Sequence, residues 1–126
     1  YHTPGLWTNT VCTHPHWGEP ALDCATRRVG EELGLTGLSL RHAGVVEYRA
    51  DVQRGLIEHE VVDVFTAEAL PGQEAIPNPD EVVEVAWQPM ADLLADLSAR
   101  PERYTPWLKI YMEKHRQMIF DGVLAV

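Results

Sequence analysis

A proline at position 20 and a glycine at position 34 enclose ALDCATRRVGEEL, in which Ala21, Leu22, Ala25, Val29 and Leu33 recur at three- and four-residue spacing. Proline suits a first helical turn, where its missing N–H is not needed, and glycine accepts the left-handed conformation that ends many helices. The spacing therefore predicts a helix between these two stops. Downstream, AGVVEYRA (43–50) and LIEHEVVDVFTA (56–67) are rich in β-branched and aromatic residues and are joined by DVQRG, which predicts a hairpin. PGQEAIPNPD (71–80) carries too many prolines for a regular element and predicts a loop. EVVEVAWQP (81–89) predicts a further strand, MADLLADLSA (90–99) a short helix, and PWLKIYMEKHRQMIF (106–120), opening on Pro106, a closing helix. A helix between strands that are not hairpin neighbours implies an α/β (α+β) fold, with a mixed β-sheet sandwiched between α-helices.

With 126 residues, 45% of them hydrophobic, the chain suits one domain, 1–126, built on one core. The formal charge of −9 repels nucleic-acid phosphates and anionic lipid heads, so an anionic substrate must find a local cationic pocket. No apolar run approaches the roughly 20 residues that span a bilayer, and the reading is a cytoplasmic protein without a nucleic-acid or membrane partner. Cys12 and Cys24 could form one disulfide, but a chain with a real core does not need one, and both are expected as thiols. The start at Tyr1, followed by a Pro-Gly turn, suggests that an upstream segment is missing.

Two stretches carry chemistry. In IEHEVVDVF the period-two alternation of a strand puts Glu58 and Glu60 on one face with Val62 and Val64, and His59 on the other. Two carboxylates on a solvated face mean little. On a buried face they need a cation or a shared proton. In WTNTVCTHPHWGE (7–19), Cys12 and His14 stand two residues apart. His14 with two carboxylates makes a plausible oxygen- and nitrogen-rich site for Mn²⁺, Zn²⁺ or Mg²⁺, whereas ordinary loop histidines and a small buried thiol fit the same spacing. Arg27 and Arg28 precede Glu31 and Glu32 by about one turn, as a solvated salt-bridged face would also have it.

Taken together and in order, WTNTVCTHPHWGE, RRVGEELG, YRA, EHE and TPW resemble the type 1 isopentenyl-diphosphate Δ-isomerases of the Nudix superfamily. The resemblance implies a Nudix fold and the interconversion of isopentenyl and dimethylallyl diphosphates in isoprenoid biosynthesis, by addition and removal of a proton. It implies Cys12 and Glu60 as the proton-handling groups on opposite faces of the substrate, with Tyr48 supporting Glu60 through a hydrogen bond. It implies His14, Glu58 and Glu60 as ligands of Mn²⁺ or Zn²⁺, Glu32 as the holder of a Mg²⁺ bridging the diphosphate, and Arg28 as a diphosphate contact. Trp107 then offers its indole face to the developing carbocation. The implied partner is a small allylic or homoallylic diphosphate, bound by a monomer or weak dimer.

Such chemistry is coherent physically. A tertiary cation made by protonating an alkene is captured by water unless the site is dry, aromatic-lined and fitted with an acid and a base. The hydrolases of the superfamily use G-x5-E-x7-R-E-U-x-E-E-x-G-U, which falls here on Thr13, Glu19, Arg27, Arg28, Val29, Glu31, Glu32, Gly34 and Leu35. Arg28 stands where a hydrolase has a metal-binding glutamate, and a cation there weakens a water-activating metal cluster while helping to hold a diphosphate intact. The alternatives are a Nudix hydrolase of a nucleoside or other diphosphate with Glu19, Glu31 and Glu32 on Mg²⁺, and an inactive Nudix-like binding module.

Overall fold

The computed structural model describes residues 5–51, 55, 57–70 and 72–120. Its elements run α1 (Ala21–Leu33), β1 (Arg41–Asp51), β2 (Ile57–Thr66), α2 (Met90–Ala99), a 3₁₀ turn at Pro101–Arg103, α3 (Pro106–Lys114) and α4 (Arg116–Phe120). Among the described residues the sheet consists of β1 and β2, neighbours whose short connection makes them antiparallel. The described residues form two compact units, those within 1–9, 43–64 and 88–126 in the first and those within 10–42 and 65–87 in the second.

In the second unit α1 begins after Pro20 and ends at Gly34, as its sequence stops dictate. Gly34 takes φ 63°, and its amide donates to the Gly30 carbonyl. A Cβ there would lie 3.1 Å from Ile76 Cβ and 3.2 Å from the Ile76 carbonyl oxygen, so glycine is required twice over. The last carbonyls of a helix lack partners within it. Here the following loop supplies them: Ile76 N–H donates to Leu33 O (2.7 Å) and Asn78 N–H to Glu32 O (2.8 Å). The expected strand at 81–89 does not form. The amides of Glu81 and Val82 donate to Asn78 O, turning the chain, while Val83 is fully exposed and Trp87 73% exposed, and among the described residues no strand pairs with this segment.

The first unit is built on the inward row of β1. Val46, Tyr48 and Ala50 are buried while Val45, Glu47 and Arg49 between them face out, the period-two pattern of a half-buried strand. Trp107, Leu108, Tyr111 and Met112 of α3, Ile119 of α4, Leu97 of α2 and Tyr104 complete its buried set. Tyr48 and Tyr111 meet edge to face, with centroids 5.8 Å apart and planes at 88°. Gly44 in β1 leaves room for Met118, whose Sδ would sit 2.7 Å from an added Cβ. The closing helix, expected as one, is two: His115 leaves the helical conformation at φ −127°, and α4 starts at the next residue and buries Ile119. Asp96 near the end of α2 gathers Arg100 Nε (2.7 Å), Arg103 Nη1 (3.4 Å) and the Tyr104 hydroxyl, pinning the turn that leads into α3.

Candidate active site

The Cys-x-His segment lies in the second unit. Cys12 and Thr13 are half-buried, His14 and His16 exposed, and neither Cys12 nor Cys24 forms a disulfide. A tight turn closes the segment: Glu19 N–H donates to His16 O, and His16 N–H donates to Glu19 Oε1, both at 2.9 Å. Glu19 in turn takes Arg27 as a fork, Nε to Oε2 and Nη2 to Oε1, each 2.9 Å. The guanidinium, followed by the His16 amide, holds the Glu19 carboxyl down at about 2. One carboxylate thus ties the loop carrying Cys12 and His14 to the helix carrying Arg28 and Glu32. Cys24 is a different thiol: it is 2% exposed, and burial, followed by the Glu19 charge, pushes it up.

Arg28 and Glu32, assigned by resemblance to one diphosphate site, are brought together. Glu32 is 5% exposed, and burial pushes its carboxyl up against the opposing pull of Arg28. Its Oε2 lies 3.1 Å from Arg28 Nη2 yet has no hydrogen-bond partner. The contact is a charge pairing, while the geometrically formed hydrogen bonds of the same guanidinium run from Nη2 to Glu81 Oε1 at 2.5 Å and from Nη1 to Glu31 Oε1 at 3.2 Å. The Glu81 hydrogen bond, joined by that of Glu31, pushes Arg28 further up. A buried carboxylate oxygen lacking a hydrogen bond is what a hard cation would satisfy, so Glu32 fits the Mg²⁺ that the resemblance implies. Among the described residues no three His, Cys, Asp or Glu side chains are gathered as a metal set. The His14, Glu58 and Glu60 set includes Glu58, which sits on β2 but whose side chain lies outside the described ones. Its donor chemistry, one imidazole and two carboxylates, suits Mn²⁺ or Zn²⁺.

Tyr48, Glu60 and Trp107 belong to the first unit. Glu60 is half-buried on the side of β2 that carries Val62 and Val64, while His59 and Val61 are exposed. Tyr48 is 4% exposed within the core. Trp107 is set by its polar edge: Nε1 donates to Thr8 Oγ1 (3.0 Å) and Asn9 Oδ1 (3.2 Å). Thr8 Oγ1 also lies 3.0 Å from Thr105 Oγ1, and Thr105 accepts from the Leu108 amide as the N-cap of α3. The backbone repeats the connection, with Trp7 N–H donating to Arg103 O and Thr105 N–H to Trp7 O. Thr8, Asn9 and Thr105 stand inside the segments that carry the resemblance, but their support of Trp107 is not readable from spacing. Glu81 gave no signal, since it falls in the stretch that reads as a strand.

Residues 1–108 match the NUDIX domain family. The isopentenyl-diphosphate Delta-isomerase of Rhodobacter capsulatus is 62% identical over 99% of this chain and 71% of its own length. Those of Dinoroseobacter shibae and Cereibacter sphaeroides are each 58% identical, over 98% and 100% of this chain and 70% and 71% of theirs. The chain therefore belongs to the Nudix superfamily and, within it, to the isopentenyl-diphosphate Δ-isomerases. The α/β reading of the sequence agrees with this assignment and with the helices and hairpin of the structure.

Proposed function

We infer that this protein is an isomerase that interconverts isopentenyl diphosphate and dimethylallyl diphosphate, a step of isoprenoid biosynthesis. In the forward direction a proton is delivered to the terminal methylene carbon, and the positive charge falls on the adjoining tertiary carbon. Loss of a proton from the carbon on its other side leaves the rearranged alkene, with no net change in atoms or electrons. Cys12 and Glu60 are the proton-handling pair in this reading, and Tyr48 supports Glu60. The Trp107 face stabilises the cation, an attraction worth about 2 kcal/mol or more where water is excluded. Thr8 and Asn9 fix the plane of that indole by holding its N–H.

The diphosphate does not react, so its binding energy positions the reacting carbons. Arg28 contacts it, and Glu32 would hold a divalent cation, Mg²⁺, which when bound would neutralise diphosphate charge. His14, Glu58 and Glu60 would hold the second metal, Mn²⁺ or Zn²⁺. The observation that supports this division most directly is the Arg28–Glu32 pair, with its buried, hydrogen-bond-deficient carboxylate oxygen. On this reading residues 1–126 form one Nudix-type domain, working in the cytoplasm as a monomer or weak dimer on a small-molecule diphosphate, with no nucleic-acid or membrane partner. Among the described residues no helix is long and apolar enough to cross a membrane.

The test is conversion of isopentenyl diphosphate in D₂O with Mg²⁺ and Mn²⁺, followed by proton NMR. The expected result is dimethylallyl diphosphate carrying deuterium in its methyl group, without release of phosphate. Phosphate release without isomerisation would overturn the reading in favour of a hydrolase.

A further inference from the structure

We propose that Glu81 is a positioning residue that presents the Arg28 guanidinium to the substrate diphosphate, an inference that rests on the diphosphate role given to Arg28 above. Glu81 approaches from a segment remote in sequence, and its carboxylate is itself fixed at both oxygens. Oε1 accepts from Arg28 Nη2 at 2.5 Å, and Oε2 accepts from Asn78 Nδ2 at 3.2 Å. Asn78 in turn is held by its own backbone, its N–H donating to Glu32 O, while its Oδ1 accepts from the Asp80 amide. The relay therefore starts at the C-terminal carbonyls of α1, passes through the loop that caps them, and returns to Arg28 on the same helix.

The arrangement does two things for an arginine that must meet a planar or tetrahedral anion. A guanidinium carries five N–H donors in a rigid fork, so it can give one to Glu31 and one to Glu81 and keep donors for a ligand. Holding a long side chain in one rotamer also removes an ordering cost that the ligand would otherwise bear. A second consequence concerns Glu32. With the guanidinium held by Glu81 and Glu31, Glu32 Oε2 lies 3.1 Å from Nη2 without a hydrogen-bond partner. Without Glu81, Arg28 loses the anchor that fixes Nη2 and is free to leave the orientation that faces the diphosphate.

Calorimetry of inorganic pyrophosphate in Mg²⁺ buffer tests the proposal independently of turnover. Glu81→Ala is expected to weaken binding about tenfold, and Glu81→Gln, whose amide oxygen still accepts from Nη2, by less. In an Arg28→Ala background Glu81→Ala should weaken binding no further, because the effect passes through Arg28. In the isomerisation assay KM for isopentenyl diphosphate should rise by a similar factor with kcat changed less than about twofold, the pattern of lost binding remote from the reacting atoms. Binding that is unchanged or tighter in Glu81→Ala, while Arg28→Ala weakens it, overturns the proposal and leaves the role of Arg28 standing. Unchanged binding in Arg28→Ala overturns that role and the proposal with it. Should Glu81→Ala melt too low to assay, Asn78→Ala keeps the Glu81 charge but releases the carboxylate, and binding unaffected by it is equally fatal.

Discussion

Glu32 works against the fold at neutral pH. Burial raises its folded carboxyl above the ordinary 4.5, so the folded state takes up a proton more readily than the unfolded chain. The destabilisation is present while Glu32 is ionised in both states and is relieved as pH falls through the raised value. Glu32→Gln should therefore melt above the parent near pH 7 without divalent metal, with the difference shrinking as pH is lowered, and should bind pyrophosphate with Mg²⁺ at least tenfold more weakly. Thermal melts across pH, with matched calorimetry, check both halves. Glu19 has the opposite sign. Held at about 2 by Arg27 and the His16 amide, it contributes stability that is complete above about 4.5 and lost as pH falls towards 2. In Glu19→Gln that acid dependence should flatten, so the gap in melting temperature from the parent at pH 6 should close by pH 2. At such single positions the sequence said what kinds of group were present and little about their state. Arg28, Glu31 and Glu32 were visible at helical spacing, but the burial that separates Glu32 from Glu31 depends on a loop more than forty residues downstream.

Helix α1 was legible because its start and stop are local: Pro20, a three-and-four apolar rhythm, and a glycine that takes φ 63°. The hairpin was legible for a similar reason, the alternation of Val46, Tyr48 and Ala50 with outward residues. The segment 81–89 was not. Its β-branched residues match a strand, yet a strand needs a partner, and the amides at its start are used by the Asn78 turn. The capping loop explains why Gly34 matters beyond its own conformation. Gly34→Ala should lose about 1–3 kcal/mol, from a left-handed alanine and from contact with Ile76, and a urea titration would show it. Because that loop also carries Asn78 and Glu81, the same change should weaken pyrophosphate binding. On α3, Thr105→Ala removes the N-cap and the partner of Thr8, for a loss of about 1–2 kcal/mol in the same titration.

Taken as one charged body, the protein repels its substrate: the chain is at −9, and near Arg28 the two guanidiniums of Arg27 and Arg28 face the four carboxylates of Glu19, Glu31, Glu32 and Glu81. A diphosphate needs added positive charge to enter such surroundings, so chelation of divalent metal with EDTA should abolish pyrophosphate binding in calorimetry. The motifs named the family because they fall in the right order along the chain. They could not say how Trp107 is held or that Arg28 is clasped from a distant loop, since both depend on contacts made only on folding. The most direct measurement is isomerisation of labelled isopentenyl diphosphate by the parent, Cys12→Ala and Glu60→Gln side by side, with pyrophosphate binding measured on each. Conversion by the parent, with both variants slowed by about 10²–10⁴ in kcat while Cys12→Ala still binds pyrophosphate, is the expected result. Near-normal conversion by Cys12→Ala or by Glu60→Gln would contradict the proton-handling pair, and no conversion by a metal-loaded parent that binds pyrophosphate would contradict the isomerase itself.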